Sequence, residues 1–503
     1  IAGAVVVLSG LGLLWSPRNV PTGIVRFLWA WAEILVTLFT MLGEAGQISV
    51  IFGLAIAVYL TPGLAAMLLL PLLALAIMLR PDVGLALIAF SLSFFQAPLR
   101  LPVGSFSPVE LTLALTVIGF IFRRLLAWGR TTFASNDTNT ELSFAIRYSP
   151  FTIHNFHSLD WAALALVALA FLATLAATNF GVSMREWRVV VCESVLFYFL
   201  VRLALDFARP ESKPAVNWRW AWRLVDAFVA GAVLHAFIAL YLYYFTDQAI
   251  TAEGVRRALG LAYGSPNNLA LFLDRAWPIL LAIALLPGMS SRYRRWLYGA
   301  GLVIVTWVIY LTFSKGALLL GLPVGVVVII LFYLRANRTW NWRWVLAAAS
   351  AGVVIVILAL IPLSQTARFR SAFDFNQGST GFFRLKLWQA SLAMLQDHWL
   401  LGVGLDNFLY QYRTRYILPE AWQEPNLSHP HNLLLDFGVR LGLGGLAILL
   451  WLQVAFWRAA WRLYRTRPEP LVLGLLGSMA IFVSHGLVDN TYFLVDLAFA
   501  FFL

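Results

Sequence analysis

The stretch WLYGAGLVIVTWVIYLTFSKGALLLGLPVGVVVIILFYL, residues 296–334, decides the fold class. Two apolar runs, 296–313 and 317–334, stand back to back with only Ser314-Lys315-Gly316 between them. Each is close to the roughly 20 residues that a helix needs to cross a hydrocarbon layer of about 30 Å. Neither run alternates polar and apolar residues, which excludes the short strands of a membrane barrel. Similar runs recur on both sides: near 160–180, 189–205, 221–245, 266–287, 343–363, 432–457 and 470–487, with a partial one from 494. The first third adds 2–15, 24–43, 47–79 (two short segments broken at Pro62-Gly63), 83–99 and 107–128. The chain is 61% hydrophobic and 12% charged, whereas a soluble domain is about 45–50% apolar and about 25% charged. The expected fold is therefore an all-α, polytopic transmembrane helical bundle of about 12–14 spans.

The formal net charge is +12, but the basic residues fall in short loops between spans. Membrane topology explains that placement without a nucleic-acid partner. Clusters such as Arg123/Arg124, Arg202/Arg209/Lys213, Arg292/Arg294/Arg295, Arg335/Arg338 and Arg458/Arg462/Arg465 occupy every other loop. By the positive-inside rule those loops face the cytoplasm and the others face outward. Arg185, Arg256, Arg257, Lys315, Arg384, His431 and Asp489 then share the outer side. An outward loop should be poor in cations, so those that remain call for an anionic ligand.

This divides the chain into N-terminal spans (1–159), central spans (160–363), one long extracytoplasmic loop containing short helices (364–431) and C-terminal spans (432–503). The polar stretch at 130–158 is too short for a core of its own and reads as a loop. The single cysteine, Cys192, lies within an apolar run, which leaves no intrachain disulfide. The chain begins at Ile1 and ends within LVDLAFAFFL, so both ends read as trimmed.

Chemistry concentrates in and around the long loop. His431-Asn432 ends it, and Gly442-Leu443-Gly444-Gly445 follows nine residues later. An imidazole there can take a proton from a hydroxyl, and Asn432 can cap the next helix or orient the ring. A plain interfacial histidine is the rival reading. His429-Pro430-His431 invites a metal, but no further Cys, His or carboxylate accompanies it at ligand spacing, so no metal is expected. Lys315 lies in a tight turn. Arg384 lies on a segment whose Phe383, Leu385, Leu387, Trp388 and Leu392 would rest on the membrane surface. Arg256 and Arg257 precede GLAYGSPNNLALFL, where Ser265-Pro266 starts a helix or cradles an anion. Arg and Lys at such depth bind phosphate or snorkel to headgroups. Asp406-Asn407 should cap a short helix, and Arg185-Glu186 and Arg188 should satisfy one another. His485 and Asp489, at i and i+4, should pair or reach Arg384.

The HN-x9-GxxG pattern at 431–445, the preceding GVGLDNF, the SKG turn and RRALGLAYGSPNN together resemble the O-antigen ligase and O-antigen polymerase superfamily. The resemblance covers roughly 160–503; the N-terminal third matches only as generic spans. It implies about a dozen transmembrane helices in a bacterial inner (cytoplasmic) membrane, with the active site outward. It also implies metal-independent, inverting glycosyl transfer without a cofactor. The donor would be a polyprenyl-diphosphate-linked glycan, and the acceptor a glycan, lipid or protein hydroxyl. The motif histidine maps to His431, and the diphosphate ligands to Arg384 and Lys315. Many relatives carry Ser-Arg-Gly where this chain has Ser314-Lys315-Gly316, which keeps the charge but loses the bidentate fork. Arg256, Arg257 and Asn432 complete the candidate substrate-binding set. A lipid-linked glycan flippase, with Glu193, His235 and Arg275 along a path, is the alternative from another class. A cell-wall polymerase using Asp406 is a third.

Overall fold

A computed structural model describes residues 37–61, 63–102, 104–134, 156–207, 218–288, 290–336, 342–371 and 374–503. The expected span at 2–15, most of 24–43, most of the polar stretch at 130–158, and Arg209 and Lys213 lie outside them. The fold is all-α apart from two short hairpins. Seven described helices are long and apolar enough to cross a membrane: Gly43–Leu60, Ser158–Leu175, Trp218–Phe245, Pro266–Leu285, Arg292–Thr312, Ala317–Ala336 and Leu433–Thr466. Leu64–Leu79 and Pro81–Phe94 pass together as an eighth, bent by 118°. The shorter Pro108–Phe122 and Pro470–Gly486 are also apolar. Many of these helices turn large apolar side chains outward, as lipid-facing helices do; Leu60, Leu68, Leu172, Val303, Leu331 and Leu450 are all exposed.

The chain forms two compact units. The first contains residues 1–155 and 197–228; the second contains 156–196 and 229–503. In the first, Ile51, Val58, Leu73, Ile77 and Leu87 form a buried cluster. Its helices bend sharply where Pro81 opens a new one, because the ring cannot donate to the preceding turn. Arg80 clamps the corner by forking onto both oxygens of Asp82 at 2.9 and 2.7 Å. The hairpin of β1 (Leu99–Leu101) and β2 (Gly104–Phe106) follows.

The second unit carries the long loop and its supports. The hairpin of β3 (Ile250–Ala252) and β4 (Val255–Arg257) precedes helix Pro266–Leu285, which opens on Pro266 with the Ser265 hydroxyl accepting from Asn267 N. Within the loop, helix Thr380–Asp397 is capped by Ser379. Its apolar residues divide between protein and exterior. Phe383 and Leu387 are buried, Leu387 against Val403, Phe408, Tyr412 and Val439, while Leu385 and Leu392 are exposed.

Helix Leu433–Thr466 is bent at Gly442, whose φ of 66° and ψ of −163° are not helical. The interruption frees backbone groups, and the segment at 399–403 takes them up. Leu443 N donates to Trp399 O at 2.8 Å, and Val403 N donates to Val439 O at 2.7 Å. A Cβ on Gly442 would lie 2.4 Å from Leu400 O; one on Gly402 would lie 2.5 Å from Val439 O. Both neighbours are backbone and cannot yield. Gly442→Ala is therefore expected to cost about 1–3 kcal/mol, since an L side chain disfavours this conformation as well as this space. A melting temperature in detergent within error of wild type would disprove that cost.

Buried charges secure the same region. Arg440 Nη1 donates to Glu186 at 2.5 Å and Nε to Asp436 at 2.6 Å, and its guanidinium sits 4.6 Å above the Phe493 ring. Glu186 thus pairs with a helix 254 residues away instead of with Arg185 or Arg188. Arg188 pairs with Glu193.

Candidate functional site

Asn432 sets the position of the imidazole. Its Oδ1 accepts from Leu434 N and Leu435 N, both at 3.0 Å, which caps the helix as its residue type implied. Its Nδ2 donates to Leu487 O at 2.9 Å. Both polar atoms of Asn432 are thereby engaged in tying the helix start to the turn after Pro470–Gly486. His431 precedes it with φ of 51°, a left-handed conformation costing an L residue about 1–2 kcal/mol.

That turn carries Asp489. His431 Nδ1 lies 2.8 Å from Asp489 Oδ1. The carboxylate is buried, and burial alone would raise its pKa. The charge and hydrogen bonds of His431 and His429 outweigh burial and hold it well below the usual carboxylate range. An ionised carboxylate only accepts, so Nδ1 carries the proton and Nε2 is the basic nitrogen. The His431 side chain is 24% exposed, so the ring is not sealed within the protein. This is the orienting pair that a general base needs.

Asp489 was expected to pair with His485 or reach Arg384. The backbone closes the i, i+4 turn, with Asp489 N donating to His485 O at 3.1 Å, but the two side chains take different partners. His485 instead meets Asp274 at 2.6 Å. A Cβ on Gly316 would lie 2.5 Å from His485 Nε2, which explains the small residue after Lys315. The sequence also offered no carboxylate to accompany His429 and His431. Asp489 supplies one from 58 residues beyond His431, and the three groups offer ligand atoms within 4.8 Å of one another. Burial, then the charge of His431, lowers the His429 pKa against the pull of Asp489.

The cations approach from the other side. Arg257, on β4, is buried; its Nε donates to Thr312 O and its Nη2 to Asn267 Oδ1, each at 2.6 Å. Asn267 Nδ2 reaches Asp489 Oδ2 at 3.4 Å, linking Arg257 to the His431–Asp489 pair through one amide. Arg256 follows strand alternation to the opposite face. It donates to Thr246 O at 2.9 Å and sits 5.0 Å over the Tyr243 ring.

Lys315 and Arg384 line an open cavity of about 150 Å³ with Ser371, Thr380, Trp388 and Val488. Two of these walls connect to the chain beside His431 and Asp489. Trp388 Nε1 donates to Pro430 O at 3.0 Å, and Val488 precedes Asp489. Arg368, which the sequence reading passed over, joins the group: it donates to Phe313 O at 3.2 Å and pairs with Glu253 at 3.3 Å. The signal for it was the same as for Arg384, a cation in an outward loop.

Residues 300–450 match the family model described as O-antigen ligase. Comparison with curated proteins returns no match. The matched interval contains Lys315, the long loop with Arg384 and His431, and the bend at Gly442. Arg257 and Asp489 lie outside it and come to the site only through the fold.

Burial pulls the Lys315 pKa down to about 8; Glu253 opposes this, while Arg368, Arg384 and Arg257 add to it. Burial, then Arg368, lowers Arg257 to about 10. A cluster of cations destabilised by one another is an anion site in waiting. Lys315 is charged below about pH 8 and neutral above it. Below that pH, binding of inorganic diphosphate should therefore follow the same pH profile in wild type and Lys315→Arg. Above it, affinity should fall by up to about tenfold per pH unit, until the pKa of the bound form is passed. Lys315→Arg should remove the decline. An identical pH profile for the two proteins, measured by calorimetry, would contradict this.

The remaining sequence assignments resolve individually. Asp406 (φ 49°) and Asn407 do not cap the short helix Phe408–Gln411 through their side chains; Asn407 Oδ1 instead accepts from Asn179 N at 2.9 Å. Arg275, placed on a possible transport path, donates to Thr491 O at 3.1 Å and so ties helices together. His235 is buried edge-on against Tyr263.

Proposed function

We propose that this integral membrane protein is a glycosyltransferase of the O-antigen ligase type, working on the extracytoplasmic face of a bacterial inner membrane. Its donor is a polyprenyl-diphosphate-linked glycan and its acceptor a hydroxyl on a glycan, lipid or protein. The observation that carries this reading is the His431–Asp489 pair beside a cavity lined by Lys315 and Arg384.

The residues divide the work. Lys315, Arg384, Arg368 and Arg257 gather the diphosphate and stabilise the charge it gains on leaving. His431 Nε2 accepts the proton of the acceptor hydroxyl, while Asp489 holds the ring and stabilises the imidazolium. The acceptor oxygen bonds to the anomeric carbon from the face opposite the diphosphate. The bond from that carbon to the phosphate oxygen breaks, its electron pair leaves with the diphosphate, and configuration inverts. Asn432 places His431, consistent with both of its polar atoms being engaged. A diphosphate is already a good leaving group, so positioning and one base suffice.

The test is incubation of purified protein with a polyprenyl-diphosphate oligosaccharide and candidate acceptors, followed by product sizing. One added block identifies a ligase and a ladder identifies a polymerase. Excess chelator should leave the rate unchanged. Export of the donor to the outer leaflet of vesicles without any transfer would replace this reading with that of a flippase.

A further inference from the structure

The cation cluster already holds an anion of its own. Glu253 sits at the tip of the β3–β4 hairpin, in the two-residue turn Glu253-Gly254, with φ of 53° and 74°. Such turns favour Asn or Gly, and a glutamate there adopts a left-handed backbone it would otherwise avoid. Its carboxylate touches Arg368 at 3.3 Å and Lys315 at 3.8 Å. It also accepts from Ser371 at 2.9 Å and Thr380 at 3.4 Å. Lys315, Ser371 and Thr380 are the polar groups that line the cavity beside Arg384. Each carboxylate oxygen thus meets a cation and a hydroxyl, the environment a phosphate oxygen would take.

We propose that Glu253 is a displaceable counter-anion of this cluster and a specificity-determining residue that favours a diphosphate over a monophosphate. This deepens the glycosyltransferase reading and rests on it. The ion pairs of Glu253 are longer than the roughly 2.7–2.9 Å of well-formed ones. The Ser371 hydroxyl has one hydrogen, and Arg368 O competes for it at 2.8 Å. Glu253 is 31% exposed on a hairpin of three residue pairs, so it can swing aside without disturbing a helix. A single phosphate, at about −1.5 to −2 near neutral pH, adds little to the charge of the carboxylate whose place it must take. A ligand with two linked phosphates brings more charge and more acceptors to Lys315, Arg368 and Arg384 than Glu253 supplies. The hairpin thereby sets a threshold of charge for entry.

The experiment compares inorganic diphosphate with inorganic phosphate, binding to the purified full chain, for wild type, Glu253→Gln and Glu253→Gly. Glycine suits the left-handed turn and serves as the variant that keeps the hairpin folded. Wild type should prefer diphosphate. Both variants should bind each anion more tightly, with phosphate gaining more, so that the selectivity ratio falls by about tenfold. Weaker diphosphate binding in the variants would mean that Glu253 holds Lys315 and Arg368 in place, and would overturn the inference. An unchanged ratio would also overturn it, while leaving the diphosphate site intact. No diphosphate binding by wild type would sink both this inference and the donor reading beneath it.

Discussion

Replacing His431 with alanine is expected to lower glycan transfer by about 10²–10⁴-fold, the scale of one general base, with donor binding unchanged. Binding should survive because the cations come from the 253–257 hairpin, the Lys315 turn and the loop helices, not from the His431 segment. Asp489→Asn should lose part of the same factor. Asparagine still accepts from Nδ1, but it cannot offset the imidazolium charge, and its amide hydrogens allow the wrong tautomer. The effect should appear in kcat more than in KM, because the interaction strengthens as the proton moves. Asp406→Asn, which touches neither group, separates this site from one built on a loop carboxylate. Transfer by His431→Ala at the wild-type rate would end the assignment of the base.

The second large effect is structural. Arg440→Ala is expected to destabilise the protein by about 3–5 kcal/mol, because it leaves two buried carboxylates without their cation. Glu186 and Asp436 are both buried, and their contacts to Arg440 are 2.5 and 2.6 Å. Arg440→Lys should recover only part of this loss, since one ammonium cannot fork to two partners. Asp436 lies in the first turn of the helix that Asn432 caps, so the site should loosen with the network. Thermal unfolding in detergent measures the first effect, and residual transfer below the melting transition measures the second. A loss under about 1 kcal/mol, the worth of an exposed pair, would mean the network is not desolvated.

The sequence made some of this legible and hid the rest for identifiable reasons. Apolar runs such as 317–334 declare helices because lipid leaves the backbone no other partner. Asn432 and Ser265 were readable as caps because capping is settled within three residues. Lys315 and Arg384 were singled out by alternation of charge between loops, and they do share a cavity. Contacts across long separations were not readable. Asp489 meets His431 at 58 residues, Asn267 at 222, and Glu186 finds Arg440 at 254. The i, i+4 turn between His485 and Asp489 forms in the backbone, but each side chain is claimed by a residue distant in sequence, His431 for Asp489 and Asp274 for His485. Arg256 and Arg257 were taken together because no strand was foreseen there, and a strand sends neighbours to opposite faces.

The bend at Gly442 has a mechanical corollary. At about 1.5 Å per residue the 34-residue helix would be roughly 50 Å long, well beyond a hydrocarbon core of about 30 Å. Residues 443–466 alone, at roughly 36 Å, are enough to cross it. The charged upper piece, 433–441, therefore has no need to enter lipid, and its link to 399–403 anchors it to protein. When the bilayer thickens or thins, the lower rod can tilt to match while the upper piece stays where the loop holds it. The depth of the imidazole would then follow the protein rather than the lipid, as the proposed transfer between a lipid-linked donor and its acceptor would require.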